Sequence, residues 1–306
     1  GIISANNVEV KNSFFFDCQG IDDVGYGLRT PVSAPSVQNG GHGLQFIDVD
    51  GALVTGSQFR CTDSPSKIPV DALGGNALVA DNLRNANINN NQFLDCGHVS
   101  LNLRNSHSIV IEKNTISNRF HTGLNLDTIA SNPGLSTGFV VRRNTFSGTN
   151  QFPSESTLKG NAIQVGPGEI HDVAIYDNLI FNGYNVATGI TLVANWTTLP
   201  GNAPIENVRI FNNTIDHPGS AGIVLINQVN PGQNAIVNVK ICNNIISEAT
   251  LSSIANGMTR EIVIEAYSLM SNPYGIEVKN NLIYTSRISP PPVAVFNEEL
   301  TGQNTL

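Results

Sequence analysis

One strand motif returns along nearly the whole chain, and it restricts the fold more than any other feature. Two apolar residues flank one outward residue, a polar pair follows, and an aromatic or Ile stands two positions later. The motif appears as Val8-Glu9-Val10-Lys11-Asn12-Ser13-Phe14-Phe15 and again as Ala86-Asn87-Ile88-Asn89-Asn90-Asn91-Gln92-Phe93. Its polar centre runs Ser13, Ser57, Asn91, Asn114, Asn144, Asn178, Asn213, Asn244 and Asn281, in steps of 23 to 44 residues. That is the spacing of solenoid repeats. The apolar period is two and helix signals are missing, which excludes helical and leucine-rich solenoids. The expected fold is all-β, a single-stranded right-handed parallel β-helix of about nine coils over 1–286, followed by a Pro-containing tail at 287–306. Asn suits the repeating corner because it tolerates positive φ and its amide can bond the same group one coil away, about 4.8 Å distant. The Asn column is therefore scaffold.

Composition agrees with a β-rich, turn-rich chain: 13% of residues are charged and 40% hydrophobic, with abundant Gly. The net charge of −8 comes with no Lys/Arg run, which argues against a nucleic-acid partner. No apolar stretch approaches a membrane span, and the first residues lack the pattern of a signal peptide. Cys18, Cys61, Cys96 and Cys242 lack metal or redox spacing. The first three recur at nearly the same point of successive repeats, so they are expected to stack in the core, with a disulfide between coils as the alternative.

A second strand family precedes the first in each coil, led by Leu44, Leu78, Leu101, Leu124, Ile163, Ile190, Ile223 and Ile262. One residue earlier runs a small column, Gly43, Ala77, Ser100, Gly123, Ala162, Gly189, Gly222 and Glu261, expected to face outward and leave a trough. Beside it, alternation turns Gln45, Val79, Asn102, Asn125, Gln164, Thr191, Val224 and Val263 outward. The next outward column is Ile47, Asp81, Arg104, Asp127, Gly166, Val193, Ile226 and Glu265. Polarity gathers at coils three to six. Asp81, Arg104 and Asp127 should stack on one another, with His98 and His121 at the near edge of the same strands. Two carboxylates two coils apart suit the acid and base of an inverting glycosidase. Alternatively, Arg104 could neutralise a uronate while His98 or His121 takes the C5 proton. An ion-pair ladder that relieves like-charge stacking is the third reading. Asn102, Asn125 and Gln164 are the expected sugar-binding residues, joined by the loop aromatics Trp196 and Tyr184.

Four loops are expected to be long, 128–137, 150–160, 194–204 and 228–234, all joining coils five to eight. Loops on a rigid scaffold often carry function. Asp216-His217-Pro218 at a corner and Glu155 on a loop are weaker catalytic candidates without an evident partner. No metal motif is present and no cofactor is expected, although outward carboxylates could hold a calcium ion.

Segments such as His121-Thr122-Gly123-Leu124-Asn125-Leu126 and Asn212-Asn213-Thr214-Ile215 make the chain resemble the pectate-lyase-like superfamily, over about residues 2 to 286. The repeats are similar to those of alginate epimerases, polysaccharide lyases and phage tailspike depolymerases. The resemblance implies a secreted or surface-exposed, carbohydrate-active protein with a polysaccharide partner, with an oligomer conceivable. The Asp-Pro-His-Asp signature of the epimerases is absent, which argues against transferring their mechanism. Glycoside hydrolysis leads, lyase or epimerase chemistry follows closely, and a non-catalytic glycan-binding or adhesin module is the alternative from another class.

Overall fold

The computed structural model describes residues 1–16, 42–60, 76–96, 99–117, 122–128, 134–148, 160–183, 188–195, 203–228, 236–249, 261–266, 274–284 and 293–297. Each coil supplies three short strands, and equivalent strands of successive coils pair in parallel. The first sheet has ten strands, from Ile2–Ile3 through Val99–Arg104 and Thr122–Asp127 to Val293–Asn297. The second has nine, from Asn6–Lys11 to Tyr274–Lys279, and the third nine, from Phe14–Phe16 to Leu282–Tyr284. Within the segment expected as a tail, Val293–Asn297 pairs with Ile262–Ala266 and extends the first sheet. No helix among the described residues is long and apolar enough to cross a membrane.

Alternation sends one side of every strand into a continuous core that runs the length of the solenoid. Phe15, Phe59 and Phe93 occupy one inward column, with ring centroids 4.5 and 4.7 Å apart. Each fully buried Phe, Leu or Ile contributes about 1.5–3 kcal/mol by leaving water. The column repeats because the coil repeats.

The buried Asn column fixes the register. Asn114 Oδ1 accepts both the backbone N–H of Asn91 and its side-chain amide, each at 3.0 Å, while Asn114 Nδ2 donates to Ile88 O at 2.8 Å. The same three bonds recur at Asn144, Asn178, Asn213 and Asn244. One expectation is corrected: the ladder Asn does not take the positive φ. The residue before it does, as at Asn12, Asn90, Lys113, Arg143, Asp177, Asn212, Asn243 and Asn280. The left-handed residue turns the chain, which aims the following amide into the core corner where its bonds are dry.

Candidate functional site

The first sheet's registers place the outward residues. Leu78, Leu101 and Leu124 pair across successive strands, and with them Val79, Asn102 and Asn125, then Asp81, Arg104 and Asp127. Gln164 follows Asn125, and Thr191 and Val224 continue that column. The expected stack of acid, base and acid is thus present on one face.

Its members differ in their bonds. Arg104 clamps Asp81 with two parallel bonds, Nε to Oδ1 at 2.6 Å and Nη2 to Oδ2 at 2.8 Å. Such a bidentate pair fixes both side chains and uses the guanidinium fork. Asp127 stands one coil further on. Its Oδ1 accepts the Thr128 backbone N–H at 2.6 Å and its Oδ2 accepts a long bond from Asn125 Nδ2 at 3.4 Å. Burial pushes the Asp127 carboxyl up to about 6, against the opposing pull of the Thr128 bond, Arg104 and Asn125. One acid is held by a cation and the other keeps its proton up to about pH 6.

Beneath them lies a polar floor. Asn125 Nδ2 also donates to Asn102 Oδ1 at 3.2 Å, and both residues are more than nine-tenths buried. Asn125 Oδ1 is buried and has no hydrogen-bond partner. A buried acceptor left unmet costs about 1–3 kcal/mol, so this atom is primed for a donor. Further along, Asn161 Nδ2 donates to Gln164 Oε1 at 2.6 Å, and Asn161 Oδ1 accepts from the hydroxyls of Thr188 and Thr191.

That network corrects the expected trough. The small column does not face outward. A Cβ on Gly123 would lie 3.0 Å from Phe146 Cδ1, and one on Gly222 would lie 2.5 Å from Ile246 Cγ2, both third-sheet core residues. Ala77 and Ala162 belong to the main core. At the strand start two successive residues, such as Ala162 and Ile163, face the core, which breaks the alternation although the register stays one-to-one. The residues before the small column therefore join the outer face, and sequence reasoning missed Thr122, Asn161 and Thr188. The usable signal was the hydroxyl or amide three residues before Asn125, Gln164 and Thr191. Gly166 ends the polar column for a backbone reason: its φ is 105°, and a Cβ there would meet Val193 O at 2.1 Å.

His98, His121, Trp196 and Tyr184 lie outside the described residues, as do Glu155, Cys18 and Cys61. Cys96 is buried in the main core, whereas Cys242 is half-buried on the second sheet's outer face, in register with Phe211 and Lys279. Asp216 and His217 form a separate cluster on the third sheet. Ser247 Oγ donates to Asp216 Oδ1 at 2.5 Å and His217 Nδ1 lies 2.9 Å from the same oxygen, and chiefly the Ser247 bond holds the Asp216 carboxyl below its usual range. The expected loop set is also corrected. The stretches between Phe16 and Leu44 and between Arg60 and Leu78 are longer than any of the four, and they join earlier coils. Among the described residues no group of His, Cys, Asp and Glu could hold a metal ion.

Three stacked parallel sheets with a buried Asn column define a parallel β-helix. The chain matches the model of the right handed beta helix region over residues 32–205 and belongs to that family. Among solved structures it is similar to PfbA, a surface adhesin of Streptococcus pneumoniae, in two determinations. Identities are 16% and 17%, each with TM-score 0.60, covering 93% and 97% of this chain and 61% and 68% of those chains. A hyperthermoactive exopolygalacturonase from Thermotoga maritima aligns at 12% identity and TM-score 0.42, over 83% of this chain and 53% of that one. No curated protein matches. At these identities the likeness concerns the fold, and the chain spans about three-fifths of the first adhesin structure.

Proposed function

We propose that the protein is a surface or extracytoplasmic carbohydrate-active enzyme that holds a polysaccharide against the outer face of the first sheet at coils three to six and hydrolyses a glycosidic bond there. The observation that carries this reading is the Asp127 carboxyl raised to about 6 beside the unpartnered Asn125 Oδ1. A carboxylic acid that keeps its proton up to about pH 6 is the donor a departing sugar oxygen needs. Asn102, Asn125 and Gln164 supply a polar floor along a chain-like ligand. Asp81, oriented by Arg104, is the second carboxylate. Two coils of separation put the two backbones on the order of 10 Å apart, close to the spacing of an inverting pair.

The commitment of Arg104 to Asp81 favours hydrolysis over elimination or epimerisation, because those reactions need a cation available for a uronate carboxylate. It also favours an uncharged sugar at the cleaved bond, since Asp81 and Arg104 offset each other. A second reading rests on a different observation, the likeness to a surface adhesin at TM-score 0.60: the same face could retain a glycan without turnover. A panel of neutral and acidic polysaccharides, scored for new reducing ends and for the ultraviolet absorbance of an unsaturated uronate, separates the three. Hydrolysis gives reducing ends without absorbance, elimination gives both, and an adhesin gives saturable binding with neither. If Asp81→Asn and Asp127→Asn both leave turnover of a cleaved substrate unchanged, this site is wrong.

A further inference from the structure

The outer face of the second sheet carries a pocket lined by Asp172, Asn207, Arg209, Asn238 and Lys240, all exposed. Arg209 and Lys240 are register partners on the neighbouring strands Ile205–Phe211 and Ile236–Cys242, so two cations stack about 4.8 Å apart at the backbone. Like charges directly opposite one another in a sheet repel. Among the described residues relief comes to Lys240 alone, from its register partner Glu277 on the next strand. Glu277 lies 3.8 Å from Lys240 but is held more closely by Lys279 at 2.5 Å. Among the described residues no carboxylate stands within ion-pair distance of Arg209.

The remaining wall is a short amide ladder. Asn238 Nδ2 donates to Asn207 Oδ1 at 2.7 Å, and Asn207 Nδ2 donates to Asp172 Oδ1 at 3.1 Å. The other Asp172 oxygen accepts from Thr137 Oγ1 at 3.2 Å. Each Asp172 oxygen therefore has a donor already, while each amide nitrogen keeps a second N–H. Adding the guanidinium fork and the ammonium, the pocket presents hydrogen-bond donors and positive charge in excess.

We infer that this pocket is a second ligand site, separate from the Asp127 face, which takes the oxyanion of an acidic glycan: a uronate carboxylate or a sulfate ester. Arg209 supplies the planar fork that matches two oxygens, Lys240 supplies the second charge, and the Asn207 and Asn238 amides meet the flanking hydroxyls. Such an anchor lets one sheet hold an acidic unit while another face engages a neutral one. Titration calorimetry of the full chain tests it, with a galacturonate trisaccharide, a sulfated galactose disaccharide, inorganic sulfate and a neutral galactose trisaccharide as probes. The acidic probes should bind with saturation and weaken with added salt. The double variant R209Q/K240Q should lose roughly tenfold or more in affinity for them, with the neutral probe unaffected. D172N should bind them severalfold more tightly, a gain that misfolding cannot produce. Oligosaccharides tighter than inorganic sulfate identify a glycan as the source; equal affinities identify a free oxyanion in the same pocket. Unchanged affinity in R209Q/K240Q, or no gain in D172N, overturns the site.

Discussion

Two stretches of the first sheet's outer face share strands, register and core yet differ in chemistry. Across coils three to six the face carries Asp81, Arg104, Asp127, Asn102, Asn125 and Gln164. Across coils eight and nine the same columns carry Val224, Ile226 and Val263, which with Ala221 form a separate buried cluster backed by Val193 of coil seven. Behind both, the Asn ladder makes the same three bonds, to which Asn213 adds one to Phe211 O. Register is set inside the solenoid and chemistry outside it. Because successive side chains point to opposite faces, an outward residue can change without disturbing the inward ones. Local contacts between neighbouring coils then make each coil an independent place to hang a function.

The largest expected effect concerns the polar stretch. Asp127→Asn should lower turnover by about 10²–10⁴-fold, the usual worth of a general acid, in a reducing-end assay. Wild-type turnover should fall as pH rises past about 6, where this acid gives up its proton. The ladder should answer alike in both stretches. Asn114→Ala and Asn213→Ala each strand a buried backbone N–H and a carbonyl, at Asn91 and Ile88 or at Asn178 and Ile175. Each should cost about 2–4 kcal/mol in urea unfolding, and unequal costs would break the view of a uniform scaffold.

Asp127 also links stability to pH. Its pKa is raised on folding, from 3.8 to about 6, so the folded chain binds the extra proton within that window. The contribution is fully present below about pH 4 and is lost as pH climbs through 6. Relative to wild type, Asp127→Asn should be more stable by about 1–3 kcal/mol at pH 8 and gain little at pH 4; the opposite slope in denaturation curves would refute the buried-acid account. Swapping the two stretches gives smaller effects. Val224→Asn puts an amide into the apolar cluster and should cost about 1–3 kcal/mol. The reverse change, Asn125→Val, removes an unmet acceptor while unpairing Asn102, so its stability change should stay under about 1 kcal/mol even as glycan binding falls.

Much of this was legible before any coordinates. The apolar pairs and the recurring Asn fixed the coil count and the pairing of Asp81, Arg104 and Asp127. Alternation failed at Gly123, Ala162 and Gly222, where two successive residues at the strand start face the core and Thr122, Asn161 and Thr188 come to the face. No period-two pattern can register such a turn-in, because it is a local break in that same pattern.

By itself, the sequence determined the solenoid, its register and its stack of candidate residues, since a two-residue period and a fixed corner are local properties of the chain. Tertiary structure decided which acid is held by Arg104 and which keeps a proton. Both depend on side-chain geometry and burial across three coils, and the strength of a charge depends on what surrounds it as much as on where the backbone carries it.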